Sequence, residues 1–135
     1  MNSAGASQFN IQIGNEPTLN VQPLLHQVRH ALDKLLSDGD PAIIDLRSIP
    51  LAPGEEQSII DLLGQGEVHA RLNALGSSEI YETRYAGVWL ITHYNEENII
   101  VSRFIEINDI PDILKSQHED MSLAAHSLMQ ELDSL

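Results

Sequence analysis

From residue 19 to residue 37 the apolar side chains recur at helical intervals: Val21, Leu24, Leu25, Val28, Leu32, Leu35 and Leu36. They form one stripe on a 3.6-residue period and predict an amphipathic helix. Asp38-Gly39-Asp40 ends it, with Gly39 where a left-handed C-cap belongs. Residues 41–49, PAIIDLRSI, are short, apolar and β-branched, a strand with its proline at the permitted first position. Pro53 suits the first position of a second helix, and Glu55 and Glu56 complement its positive end. Ile59, Ile60, Leu62 and Leu63 form its buried face, and Gly64 and Gly66 stop it.

The period then changes to two. Val68, Ala70 and Leu72 alternate with Glu67, His69, Arg71 and Asn73. A turn at Gly76-Ser77-Ser78 leads into a strand over 80–85. Ala86-Gly87 reads as a two-residue hairpin connection. Strands over 88–94 and 99–107 follow, separated by a turn at 95–98. Four strands joined by short loops predict an antiparallel meander. Pro111 opens a short helix through Leu114, and Met121, Ala124, Ala125, Leu128, Leu132 and Leu135 share one face of a last helix. Residues 1–18 read as a flexible leader, in which FNIQI (9–13) alternates as a short edge strand or an ordered tail. The expected architecture is that leader followed by one α+β domain over 19–135. Its mainly antiparallel sheet is a four-strand meander plus one further strand, with helices packed on one face.

Composition narrows the function. At 135 residues the chain is one domain by length and can bury roughly two thirds of its unfolded surface. It has no cysteine, so it offers no thiolate to zinc or an iron–sulfur cluster and forms no disulfide. With 7 Lys+Arg against 20 Asp+Glu its formal charge is −13, which disfavours nucleic acid and anionic membrane surfaces and attracts basic protein segments. The same charge also serves plain solubility. No apolar run reaches the roughly 20 residues of a membrane span. The first residues lack the basic and apolar regions of a secretory signal. A cytoplasmic location is the expectation.

Candidate chemistry is sparse. With Ala86-Gly87 as the loop, Arg84 faces Trp89 and Glu82 faces Ile91, and Ile80, Glu82 and Arg84 share a sheet face with Trp89, Ile91 and His93. Two readings stand side by side. In one, Arg84 stacks on Trp89 as an interface hot spot. In the other, Trp89 is core and Arg84 lies over it with its charge in water. His26 and His30 stand four apart with Asp33 beyond them, a spacing that can share a metal, but on the face opposite the apolar stripe and without a glutamate between them. No metal site is assigned. His69 and His93 are separated by an intervening strand. There is no nucleophile elbow and no phosphate loop.

Three segments carry a resemblance: PLLHQVRHALDKLL (23–36), IDLRSIPLAPGEEQSIIDLLGQGEVHARLNALGSSEIYETRYAGVWLITHYN (44–95) and RFIEINDIPDIL (103–114). The most distinctive part is GQGEVHARLNALGSSEIYETRYAGVW, residues 64–89. Together they resemble the hydrogenase expression/formation proteins of the HupH/HyaF type. That resemblance implies a non-catalytic, chaperone-like accessory factor for an uptake nickel–iron hydrogenase, without cofactor. It would act on the small-subunit precursor, and with other maturation factors, before export. It carries over no catalytic residue. The expected partner surface is Arg84, Trp89, Ile91 and His93, flanked by Glu79 and Glu82; such a face can also pair with its own copy. The alternative is a small-ligand or enzymatic module with a pocket between the sheet and the first helix, lined by His69, Tyr81 or Arg103.

Overall fold

The computed structural model describes residues 19–135. The expected leader and its alternating segment at 9–13 lie outside them. The first stripe forms α1 (Val21–Asp38), which buries Val21, Leu24 and Val28. Gly39 takes φ 76° and its N–H reaches the Leu35 carbonyl at 2.9 Å, a left-handed cap that a Cβ would strain. Leu36, at the stripe's edge on the last turn, is exposed.

β1 (Ala42–Asp45) is shorter than the expected strand. Asp45 ends it. Its carboxylate accepts the Arg47 N–H at 3.0 Å and its carbonyl accepts the Ser48 hydroxyl at 2.9 Å. Such local bonds compete with a strand ladder and win here. The chain passes into a 3-10 turn, Leu46–Ser48, which buries Leu46. α2 (Glu55–Leu63) starts two residues after Pro53, with Gly54 at its N-cap. Ile59 and Leu63 are buried, whereas Leu62 is exposed.

Four further strands follow: β2 (His69–Ala74), β3 (Gly76–Glu82), β4 (Val88–Tyr94) and β5 (Ile100–Ile107). All pairs are antiparallel, and the sheet order is β1-β5-β4-β3-β2. The meander is therefore as expected, and β1 adds to it by pairing with β5. The first hairpin turns two residues earlier than Gly76-Ser77-Ser78 suggested. Leu75 stands at its exposed tip, and Ser77 and Ser78 already pair with Asn73 and Leu72. Gly76 is required there: its φ is 124°, and a Cβ would collide with the Tyr94 carbonyl oxygen.

α1 and α2 cover one sheet face. Ile44, Val88, Leu90, Ile105 and Ile107 from the sheet meet Val21, Leu24, Val28, Ile59 and Leu63 from the helices in one buried cluster. The opposite face holds a second core of Ile80, Trp89 and Ile91, with Ala70, Leu72, Phe104 and Leu114 against it. The chain leaving β5 helps close this second core. Trp89 Nε1 donates to the Asn108 carbonyl at 3.1 Å, and a 3-10 turn at Asp112–Leu114 follows. Buried Glu106 holds that segment, accepting from Asn108 Nδ2 at 3.0 Å and from the Asp112 N–H at 3.1 Å. The last helix, α3 (His118–Asp133), contributes no buried residue. No helix among the described residues is long and apolar enough to cross a membrane.

Candidate functional site

The β3–β4 register decides where the candidate residues lie. Glu82 pairs with Trp89, Ile80 with Ile91 and Ser78 with His93. The connection spans 83–87, so the register is offset by two residues from that of a two-residue loop. An even offset preserves the faces, where an odd one would exchange them. Ile80, Glu82, Trp89, Ile91 and His93 do share one face, but their cross-strand neighbours differ from those expected.

Trp89 is 4% exposed and Ile91 5%. Both belong to the second core, and the indole N–H is already bonded. His93 is half-buried beside them. Its Nδ1 lies 2.6 Å from Ser78 Oγ, and its ring meets Phe104 edge-on at 5.8 Å. Ile91 and His93, but not Trp89, border a shallow groove of about 230 Å³, with Ile43, Phe104, Asp112 and Ile113 among its walls.

Arg84 does not reach Trp89. Beyond the end of β3 its backbone N–H donates to the Leu63 carbonyl at 2.9 Å and its guanidinium to the Leu62 carbonyl at 3.0 Å. The guanidinium also sits 5.5 Å from the Tyr85 ring centre. It thus caps the C-terminal end of α2, where a cation is favourable.

Glu79 lies on the other face, with the helices. It accepts from the Tyr94 hydroxyl at 3.3 Å, and His69 Nε2 and Arg71 approach it at 3.5 and 4.0 Å. Nearby, Glu56 joins Arg103 at 2.9 Å and Arg47 at 3.4 Å, and Arg103 also donates to Thr92 Oγ1 at 3.1 Å. Tyr81 sits among these groups, packed against the His69 ring edge, and burial raises its hydroxyl pKa. The signal for this network was Arg71 standing directly across from Glu79, a cross-strand pair of opposite charge. The turn composition of Gly76-Ser77-Ser78 masks that pairing, because the hairpin in fact turns at Leu75.

His69 and His93 lie on opposite faces of the sheet. His26 and His30 place their rings 6.5 Å apart on exposed helix, and Asp33 pairs with Arg29 instead, at 3.3 Å. Among the described residues no three His, Asp or Glu side chains are grouped to hold a metal ion. Between α1, α2 and the 83–87 loop lies an apolar cavity of about 260 Å³, lined by Leu25, Val28, Leu32, Leu62, Leu63 and Tyr85 among others. His69, Tyr81 and Arg103 are not part of its wall.

The sequence matches the family described as HupH hydrogenase expression protein, C-terminal conserved region, over residues 18–135. It is 25% identical over 131 residues to the hydrogenase expression/formation protein HoxQ of Azotobacter vinelandii, covering 92% of this chain and 45% of that protein. It is 28% identical over 103 residues to HupH of Rhizobium leguminosarum bv. viciae, covering 76% and 36% respectively. The chain therefore spans less than half the length of these relatives. Among solved structures, the hydrogenase expression protein HupH from Thiobacillus denitrificans aligns with a TM-score of 0.82 at 35% identity, over 86% of this chain and 97% of that one.

Proposed function

The chain belongs to the family of HupH hydrogenase expression proteins, and from that membership we propose that it is a non-catalytic assembly factor in nickel–iron hydrogenase maturation. Its client would be a hydrogenase subunit precursor, the small subunit foremost, met in the cytoplasm before export. The observation that carries this reading is the family match over residues 18–135. The names of the curated relatives, hydrogenase expression/formation proteins, supply the process.

The chain's physical chemistry supports adhesion. It has no cysteine, so its contribution to a cluster-bearing subunit is to hold polypeptide. At −13 it attracts a basic segment such as a twin-arginine leader. Its largest buried aromatic, Trp89, is committed to the fold, so the gripping surface must come from side chains left outside the two cores.

The test is binding of the purified chain to purified small-subunit precursor, to the same subunit without its leader, and to the large-subunit precursor. The expected result is tightest binding to the leader-bearing small subunit, weakening as salt screens the charges. Failure to bind any of the three would overturn the reading.

A further inference from the structure

α3 is amphipathic, yet its apolar stripe faces water. Met121, Leu128, Met129 and Leu132 are 52, 62, 54 and 60% exposed, and Ala124 and Ala125 lie on the same side. The helix holds 16 residues and has no side-chain N-cap bond. In proteins most of a helix's stability comes from packing of its apolar face, which α3 lacks here. The stripe is therefore a face in need of a partner.

Its charges say which partner. Both borders of the stripe are acidic, with Glu119 and Asp120 near one end and Glu131 and Asp133 near the other, and the helix contains no lysine or arginine. Glu131 and Asp133 stand in the last turns, where the helix dipole disfavours carboxylates, and no packing offsets that cost. A local rule broken without internal compensation points to something outside the molecule.

Among the described residues the body supplies little compensation. Of its seven Lys and Arg, five stand within 4.0 Å of a carboxylate in the body: Arg29, Arg47, Arg71, Arg103 and Lys115. Arg84 is engaged on the end of α2, which leaves exposed Lys34 on α1 as the one other basic side chain without a carboxylate partner among the described residues, against the four carboxylates of α3. Folding α3 back, or laying it on a second copy, would set its acidic borders against a body of the same sign. Two α3 helices side by side would face carboxylate to carboxylate in either orientation.

We propose that α3 is a docking helix for a protein segment that is apolar along one side and edged by lysines or arginines, and that it becomes firmly ordered on binding. This deepens the proposed function, resting on it only for the identity of the client.

The test uses the whole chain in two arms. The first probe is a helical peptide of about 18 residues with leucines on one face and lysines on the other, compared with its leucine–glutamate counterpart. The second is the purified small-subunit precursor. Two variants are compared with the unaltered protein: L128S/L132S, which leaves the charge unchanged, and E131K/D133K. The intrinsic fluorescence of Trp89 reports that the body is intact.

Expected are binding of the lysine peptide and not the glutamate one, a loss of roughly tenfold or more in both variants, and slowed amide exchange across α3 in the complex. Equal binding by the variants overturns the proposal. So does slow α3 exchange in the free monomer, which means the helix folds back. A dimer in sedimentation that L128S/L132S dissociates also overturns it, since a second copy then covers the stripe. If the lysine peptide behaves as expected but the precursor does not bind, the docking helix stands and the choice of client falls. If the precursor binds unaltered protein and both variants alike, the client stands and the docking helix falls.

Discussion

Glu55 joins the start of α2 to the start of α1 by accepting two hydrogen bonds from Asn20: the backbone N–H at 3.1 Å and side-chain Nδ2 at 3.0 Å. A third comes from the Ala52 N–H at 2.7 Å. One carboxylate thus satisfies donors at α1's first turn and in the loop before α2. These bonds, that from Ala52 foremost, hold its pKa below the ordinary value of 4.5. Its contribution to stability is therefore complete above pH 4.5 and is lost as pH falls through the lower folded value. Glu55→Gln is expected to lower the melting temperature at neutral pH and to reduce its fall between neutral and acid pH. Thermal unfolding across that range measures both. Asn20→Ala is expected to cost about 1 kcal/mol from the lost side-chain bonds to Glu55 and to the Pro50 carbonyl.

Trp89 should behave as a core residue. Trp89→Ala is expected to cost about 3–5 kcal/mol in chemical denaturation. Trp89→Phe keeps most of the ring but leaves the Asn108 carbonyl without its indole donor, at about 1–2 kcal/mol. An unfolding midpoint unmoved by Trp89→Ala would refute this assignment.

Gly64 is held twice over. Its φ of 68° with ψ −166° is open almost only to glycine, and a Cβ there would come within 2.6 Å of Arg84 Cγ. Gly64→Ala is expected to cost about 1–3 kcal/mol for the backbone, with a further penalty for displacing Arg84. In the Arg84→Ala background that further penalty should vanish. A double-mutant cycle on unfolding free energies reads the difference.

Removing residues 117–135 should change the unfolding free energy of the body by no more than about 0.5 kcal/mol, because no residue of α3 is buried. Urea denaturation followed by Trp89 fluorescence tests this. A large loss would mean that α3 supports the second core.

The Glu56–Arg103 pair is largely shielded, its side chains 26 and 16% exposed, and a double-mutant cycle with Glu56→Gln and Arg103→Gln should give a coupling of about 1 kcal/mol, falling as salt is added. A coupling near zero would show that the ion pair does not hold Arg103 in place and would leave that role to its hydrogen bond with Thr92.

Periodicity revealed α1, α2, the meander and α3, because each element's own apolar spacing encodes it. The Gly39 cap was legible for the same local reason. The start of β3 was not: Gly76-Ser77-Ser78 has turn composition, yet Ser78 bonds His93 and Ser77 pairs with Asn73, so pairing across strands outweighed local preference. The even register offset spared the assignment of sheet faces and nothing finer. The polar network around Glu56 and Glu79 depends on that finer register and on where α2 lands, so one-dimensional spacing could not show it.

By itself, then, the sequence determined the element types, the two faces of the central hairpin, the absence of thiolates and the strongly acidic balance, since all of these follow from local pattern and counting. Tertiary structure alone decided that Trp89 is enclosed, that Arg84 turns away to close α2, that Glu55 binds two helix starts together, and that the stripe on α3 stays uncovered. Each of those depends on which distant segments meet, and burial is a property of the meeting, not of the residue.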